Sequence, residues 1–202
     1  FLYNSPAVGS RPAVNGVIPL GRIQKAVQPL EATKGETFTK DSTGATKIGS
    51  SPVEAGYYCF AHTNAHPDIR NLPGFTKRAE MASSDYPDGT FGCVDNVIFV
   101  TSPEFVPFYG AGAATTTLLA TGGLTDVYPF VVCAKDALTD IDFAGTGRMG
   151  WGNAEVWVLD SADKYDITNA RLIISAAWLD AAVVTSFDWL VRIEAGVTAS
   201  PA

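Results

Sequence analysis

The sequence predicts an α+β fold that contains more strand than helix. Apolar residues recur at helical spacing between Leu20 and Leu30, which predicts an amphipathic helix. Residues 56–61 and 91–101 are rich in aromatic and β-branched side chains, a composition typical of strands. Residues 187–194 alternate apolar and polar side chains, which predicts a strand with one buried face. Helical and strand patterns are interspersed, and this mixture favours an α+β architecture.

The predicted helix carries Ile23 and Val27 on its apolar face and Arg22 and Lys25 on the other. Pro29 is expected to end it, because proline has no N–H to donate and disfavours helical geometry in the preceding residue. The turn-rich residues 1–12 that precede it are expected to form an arm outside the core.

Further segments complete the predicted order of elements. Residues 127–134 and 155–159 are apolar on both faces, as in buried sheet. Pro-Asp-Gly at 87–89 predicts a turn, and residues 177–185 are expected to form a short helix. The uncharged residues 105–125 contain four glycines and five threonines and are expected to form a mobile loop.

The composition limits the classes of function. The 202 residues carry 14 Lys and Arg against 21 Asp and Glu, a formal net charge of −7. This balance argues against tight nucleic-acid binding, which depends on Lys and Arg displacing counterions. Only 17% of the residues are charged, below the roughly 25% of an average soluble domain, which favours burial of surface against other subunits. No membrane span is expected, and residues 1–4 do not resemble a secretory signal.

The three cysteines, Cys59, Cys93 and Cys133, are expected to be free, buried thiols. Their odd number and wide spacing fit neither a disulfide framework nor a CxxC metal site. Thiols of this kind are typical of a protein made in a reducing cytoplasm.

His62 and His66 are the only histidines, and their i, i+4 spacing could place two imidazoles on one metal ion. The hydrolase form of this motif has Glu after the first histidine, where this chain has Thr63. Pro67 also favours a loop, so surface histidines are expected rather than a metal site.

Residues 145–150 spell GxGxxG, and Asp166 follows about twenty residues later. A dinucleotide site needs a helix after the glycines to supply N–H groups to the phosphates, whereas the strand-like residues 155–159 follow here. No G-x-S-x-G motif and no recognisable pair of Cys and His indicates a nucleophile. We therefore expect no catalytic, cofactor-binding or metal-binding residue.

Five phrases occur in the order of a known family. They are Gly-Tyr-Tyr at 56–58, His-Pro-Asp-Ile-Arg at 66–70, Val-Tyr-Pro at 127–129 with Lys-Asp-Ala at 135–137, Asp166, Asn169 and Arg171 with Trp178, and Trp-Leu-Val-Arg-Ile-Glu at 189–194. Together, over about residues 20–196, they resemble the major capsid proteins of tailed phages, in the family typified by coliphage N-four. The chain departs from that family at residues 88–92, Ile167 and Leu179.

The resemblance implies the Hong Kong 97 capsid fold, with a peripheral and an axial lobe. Residues 1–12 would be an arm remnant, 13–50 the peripheral lobe with its helix, 51–169 the axial lobe, and 170–202 the return to the peripheral lobe. The longer N-terminal arm and the extended two-stranded loop of the family are missing from this sequence.

The function that the resemblance implies is structural. The protein would be the major capsid protein of a tailed double-stranded DNA phage, made in the host bacterial cytoplasm and located in the virion. It would assemble with itself as hexamers and pentamers into an icosahedral shell, enclosing DNA without sequence-specific binding. Decoration, portal and scaffold proteins are further implied partners; a membrane, a cofactor and enzymatic activity are not. The candidate subunit contacts are Tyr109, Gly110, Thr116, Leu118, Thr121, Arg70, Arg171 and Trp178.

Residues 110–125 are expected to lie at the axial tip or at a seam between subunits, ordered only by neighbouring subunits. Three alternatives to the capsid hypothesis stay open. One is an encapsulin-like bacterial nanocompartment, a shell of the same fold that encloses cargo protein. The second is a nucleotide-binding enzyme that uses residues 145–150, and the third is a small-ligand binding module.

Overall fold

The computed structural model describes residues 2–3, 9–41, 52–81, 86–142, 155–159, 173–177 and 180–199. It is mixed α+β and consists mainly of sheet, as the sequence predicts. The helices are α1 (Leu20–Ala32) and α2 (His66–Arg70), with 3-10 turns at Arg11–Ala13, Thr63–Ala65, Arg78–Glu80 and Phe187–Trp189. The strands are β1 (Leu2–Tyr3), β2 (Tyr57–His62), β3 (Thr76–Lys77), β4 (Thr90–Val94), β5 (Val97–Ser102), β6 (Ala120–Thr121), β7 (Leu124–Thr125), β8 (Tyr128–Cys133), β9 (Leu138–Asp142), β10 (Glu155–Leu159), β11 (Ile173–Ala177), β12 (Asp180–Val184) and β13 (Leu190–Ala195).

The chain divides into two compact units. Phe1–Ala137 and Ser186–Ala202 form the first unit, and Leu138–Thr185 forms the second. In the second unit the described strands make two antiparallel pairs, β9 with β12 and β10 with β11. The lobe boundaries that the resemblance implies, after residues 12, 50 and 169, do not coincide with this division and stay a prediction.

The first unit is built on a sheet of seven described strands in the order β1-β13-β8-β2-β5-β4-β3. The centre is β2, which pairs in parallel with β5 and antiparallel with β8. β13 lies between β8, its antiparallel partner, and β1, its parallel partner. The strand predicted at 91–101 is instead a hairpin of β4 and β5, because Asp95 turns the chain with a φ of 49°.

Helix α1 packs its apolar side onto one face of this sheet. Ile23, Val27 and Leu30 are buried there, as predicted, in one cluster with Phe130 and Ile193. On the opposite face a smaller buried cluster forms from Val53, Met81, Cys93 and Ile98. Both faces of the central strands are therefore covered, which explains their nearly continuous apolar sequences.

The prediction that Pro29 ends the helix is wrong, since α1 continues to Ala32. Pro29 is exposed, whereas the next residue, Leu30, is fully buried. Packing of the last turn thus outweighs the hydrogen bond that proline cannot donate. The helix ends in a Schellman arrangement, in which the Lys34 N–H donates to the Glu31 carbonyl (3.0 Å) and the Gly35 N–H to the Leu30 carbonyl (2.8 Å).

The terminal strand is shorter than the alternating pattern predicts. β13 begins at Leu190, and Phe187 lies in the preceding 3-10 turn with 81% of its surface exposed. The expectation of one polar, solvent-facing side is also wrong at Glu194, which is fully buried. The reason is the position of β13 inside the sheet, where further chain covers both of its faces.

Three smaller expectations were also tested. The short helix expected at 177–185 is wrong, because residues 180–184 form β12 and pair with β9. The turn at 87–89 is confirmed, with Gly89 at a φ of 82°. The three cysteines are free and buried, as expected. No helix in the described ranges is long and apolar enough to cross a membrane.

Candidate subunit interface

The Gly/Thr segment, residues 105–125, connects β5 to β8 and contains the β6–β7 hairpin. Its base is closed by two backbone hydrogen bonds between Phe108 and Val127, with N···O distances of 2.8 and 3.0 Å. The segment therefore projects from the end of the sheet at which β8 begins.

Backbone pairing continues inside the segment around Thr125, which is fully buried. The Gly112 N–H donates to the Thr125 carbonyl, and the Thr125 N–H and hydroxyl both donate to the Ala113 carbonyl at 2.9 and 2.7 Å. A Cβ at residue 112 would lie 2.8 Å from the Thr125 Cβ and 2.8 Å from the Val14 carbonyl oxygen. Only glycine fits there without displacement of a neighbour.

Asp126 follows the segment and binds the turn at Gly110. The carboxylate is buried; Oδ1 accepts from the Gly110 N–H at 2.7 Å, and Oδ2 accepts from the Thr121 hydroxyl at 3.0 Å. The Asp126 N–H donates to the Leu119 carbonyl at 2.8 Å. One residue thus joins three points of the segment, and Gly110 takes a φ of 58° that suits glycine.

Val14 and residues 196–199 also bind the Gly/Thr segment. The Ala113 N–H donates to the Val14 carbonyl at 2.9 Å. Residues 196–199, which we call the C-terminal strap, run beside residues 117–119. The Leu119 N–H donates to the Val197 carbonyl at 2.8 Å, and the Ala199 N–H donates to the Thr117 carbonyl at 3.1 Å. The expectation of a loop ordered only by neighbouring subunits is therefore wrong, because intrachain hydrogen bonds already hold it.

The strap is bound in turn by Asp68 of α2. One carboxylate oxygen accepts from the Thr198 N–H at 2.8 Å and the other from the Thr198 hydroxyl. Asp68 is buried, and the neighbouring Ile69 packs into the core cluster. The acceptor is thus carried by an element that is fixed to the sheet.

A buried ionic cluster lies next to the base of the segment. Both Glu194 oxygens accept from Arg11, at 2.7 Å from Nε and 2.8 Å from Nη2, and Arg192 Nη2 lies 2.8 Å from Oε1. The Arg11 guanidinium also stacks 3.6 Å above the Phe108 ring. Sequence reasoning missed this cluster, since Arg11 and Glu194 are 183 residues apart.

The segment exposes a mostly uncharged surface that includes large apolar side chains. Val106 is 67% exposed and Tyr109 64%, and Leu124 is exposed on the β6–β7 hairpin. Of the predicted contacts here, Thr116 and Thr121 are also exposed. We call Val106, Tyr109 and Leu124, with the exposed threonines, the Gly/Thr surface.

The other predicted contacts are placed differently. Leu118 is buried within the chain, and Gly110 is half-buried under Asp126. Arg70 is exposed at the end of α2, with its guanidinium 5.0 Å from the Phe91 ring centre. Arg171 and Trp178 lie outside the described residues.

A second apolar surface was missed by the sequence reasoning. A groove of about 600 Å³ runs between α1 and the start of β13, and the exposed Phe187 ring stands at it. Its lining is largely apolar and comprises Leu2, Lys25, Gln28, Pro29, Ala32, Thr33, Phe187, Asp188, Leu190 and Val191. We call this the α1 groove.

The two histidines have separate structural partners. His62 ends β2 and its Nδ1 accepts from the Asn64 N–H at 2.9 Å, whereas His66 begins α2, lies 3.0 Å from the Thr101 hydroxyl and stacks on Phe91 at 3.9 Å. Both are half-buried, so the expected surface loop is wrong. Burial lowers the pKa of both imidazoles, and the Arg70 charge lowers that of His66 further. Within the described ranges no group of three or more His, Cys, Asp or Glu side chains could hold a metal ion.

The glycine motif at 145–150 lies outside the described residues, as does Asp166. Residues 155–159, which follow it, are a strand, as predicted. No protein-family model matches the sequence. A search of curated proteins finds no significant relative.

Proposed function

We propose that this protein is the self-assembling shell subunit of a tailed double-stranded DNA phage, as its sequence resemblance implies. The observation that carries the proposal is a pair of different exposed apolar surfaces on the first unit, the Gly/Thr surface and the α1 groove. Exposed apolar surface bordered by polar residues is typical of protein interaction sites, and repeated association would bury it.

The placement of the two surfaces supports assembly rather than simple pairing. β8 begins at the Gly/Thr segment and ends beside Leu190 at the α1 groove, since Leu190 pairs with Cys133. Six residues of strand span roughly 20 Å, so the surfaces lie at opposite ends of the sheet. Two unlike surfaces favour head-to-tail contacts, which close into rings such as pentamers and hexamers when the rotation between neighbouring subunits permits it.

The charge of the chain supports the proposed content of the shell. A net charge of −7 gives little attraction for phosphates, so an acidic lining would enclose DNA without retaining it. Many modest contacts repeated over a closed shell would provide stability through multivalency.

The test is assembly of matched aspartate variants, followed by electron microscopy and mass measurement. Leu124→Asp and Phe187→Asp each put a charge on one exposed apolar surface and should abolish closed particles while the far-UV spectrum stays unchanged. Ala79→Asp is the control, since Ala79 is exposed near β3, at the other edge of the sheet from β1. Wild-type protein that stays a small oligomer at high concentration would refute the proposal.

The contents of the particles separate the related alternatives. DNA protected from nuclease indicates a phage capsid, whereas particles filled with a cargo protein indicate an encapsulin-like compartment. Binding of NAD or ATP in calorimetry, without particles, would instead favour an enzyme that uses residues 145–150.

A further inference from the structure

We propose that Asp68 is a positioning residue that sets the conformation of the Gly/Thr surface through the C-terminal strap. The inference concerns a conformational device within one chain, and it does not require that the chain form a shell. Its basis is a series of hydrogen bonds that leads from α2 through the strap to Gly110 and Thr121 of the Gly/Thr segment.

The first step of the series joins Asp68 to the strap. Both carboxylate oxygens are used by Thr198, one by its N–H and one by its hydroxyl. Such charge-assisted hydrogen bonds are about twice as strong as neutral ones. Thr198 itself is exposed, so this pair of bonds, rather than burial of its side chain, fixes its position.

The second step joins the strap to the segment. Thr198 pairs with Leu118, and the flanking residues Val197 and Ala199 exchange hydrogen bonds with Leu119 and Thr117. Leu118 is buried in this arrangement. Release of the strap would therefore expose Leu118 and leave the Leu119 N–H without its intrachain acceptor.

The third step reaches the exposed surface. The Leu119 carbonyl accepts from the Asp126 N–H, and the Asp126 carboxylate holds Gly110 and Thr121. Gly110 follows the exposed Tyr109, and Thr121 is part of the β6–β7 hairpin. A strap held by Asp68 consequently favours one arrangement of the surface, and a released strap permits others.

Helix α2 is packed against the core, so Asp68 is held in a fixed position. Ile69 and Leu72 pack in the core cluster, and His66 lies 3.0 Å from the Thr101 hydroxyl of β5. Movement of the strap therefore requires loss of its bonds to Asp68 and does not follow from displacement of α2.

Amide hydrogen exchange on the full chain tests the inference. Asp68→Asn replaces charge-assisted hydrogen bonds to Thr198 by neutral ones, so the amides of Leu119, Ala199 and Gly110 should exchange about fivefold to tenfold faster. The amides of Tyr57 at the start of β2 and Ala134 just after β8 donate to the Asn96 and Trp189 carbonyls, and they should keep their rates within about twofold. Equal acceleration at all five amides would overturn the proposal, because Asp68 would then act on global stability alone.

A milder pair of variants keeps the test decisive if Asp68→Asn folds poorly. Thr198→Val removes the hydroxyl and keeps the shape, whereas Thr198→Ser keeps the hydroxyl. Faster exchange at Gly110 in the valine variant, with the wild-type rate in the serine variant, supports a positioning role. An unchanged Gly110 rate in Thr198→Val and Asp68→Asn would show that the strap does not control the surface.

The exchange result is independent of the proposed function. If wild-type protein forms no particles, the shell proposal fails, yet the Gly110 rates still decide the role of Asp68. If wild-type protein does form particles, Asp68→Asn should lower their yield while leaving the amides of Tyr57 and Ala134 protected.

Discussion

The Gly/Thr segment follows strand β5 and precedes strand β8 of the sheet core, but the two regions are stabilised by different forces. In the core, Phe99, Phe130 and Leu30 are almost completely buried, and apolar burial is the main stabilising contribution. In the Gly/Thr segment, the buried groups include Thr125 and Asp126, and directional hydrogen bonds hold the chain.

The difference matters because the two forces respond differently to substitution. Apolar burial is non-directional, and a core absorbs changes of similar volume at modest cost. A buried carboxylate that serves several donors has no substitute, and its loss leaves each donor unsatisfied. Large stability effects are thus expected in the core, and local, specific effects in the segment.

The largest effect is expected from Phe130→Ala. Phe130 is 1% exposed and packs with Leu30 and Ile193, so its removal should lower the free energy of unfolding by about 3–5 kcal/mol. Urea titration measures this. Phe187→Ala removes the same ring from an 81% exposed position and should change stability by less than about 0.5 kcal/mol. Equal losses would mean that Phe187 is buried in solution.

Removing the charge of Glu194 should have the next largest effect. Glu194→Gln keeps one acceptor oxygen but removes the carboxylate that Arg11 and Arg192 share; because both guanidinium groups are partly exposed, we expect the loss of one charge-assisted hydrogen bond, about 1.5–3 kcal/mol. The control is Glu36→Gln, which breaks the exposed ion pair with Lys135 and should cost less than about 1 kcal/mol. Similar unfolding midpoints for the two variants would contradict the buried cluster.

Asp126→Asn should have a smaller and more local effect. The amide oxygen can still accept from the Gly110 N–H, and the amide NH2 can donate to the Thr121 hydroxyl, but both bonds become neutral, so we expect a cost of about 1 kcal/mol. Limited proteolysis should cut within residues 105–125, while the sheet remains intact. Asp88→Asn, at an exposed turn, is the matched control. Resistance equal to wild type would show that Asp126 does not hold the segment.

The smallest effect is a pH dependence from the histidines. Burial places the folded-state pKa of His62 and His66 below the unfolded value of about 6.5. Protonation therefore favours unfolding. The stability that the two neutral histidines contribute is fully present above about pH 6.5, and it decreases as the pH falls through 6.5 towards their folded-state pKa. Unfolding free energies measured between about pH 7.5 and 5 should fall less in His66→Gln than in wild type. Unfolding free energies that fall equally with pH in the variant and in wild type would contradict a lowered pKa of His66.

The sequence predicts the elements whose residue pattern lies within one short segment, and it does not predict features that depend on contacts between distant residues. The apolar face of α1 and the strand at β2 were predicted because Ile23, Val27 and Leu30 recur within one helix and Tyr57–His62 has strand composition. The end of α1 was missed because the burial of Leu30 is a tertiary effect that local propensity does not contain.

The candidate interface was predictable in composition but not in structure. An uncharged run rich in glycine and threonine predicted a loop at residues 105–125, and the structure has there a long connection that contains the short β6–β7 hairpin. Its bonds to Val14, Val197 and Asp126 come from distant or flanking residues, and no periodic pattern encodes them. The position of Asp126, the first charge after an uncharged run, was the one available signal.

The placement of β13 between β1 and β8 also has a consequence for biosynthesis. β13 is the last strand of the seven-stranded sheet to be synthesised, so β8 emerges from the ribosome with one edge unpaired. Closing such a non-local pairing is intrinsically slow, and unpaired edges invite pairing with other nascent chains. The seven-stranded sheet can therefore close only after residue 195 has been synthesised, and until then β8 offers an edge at which a second chain could pair.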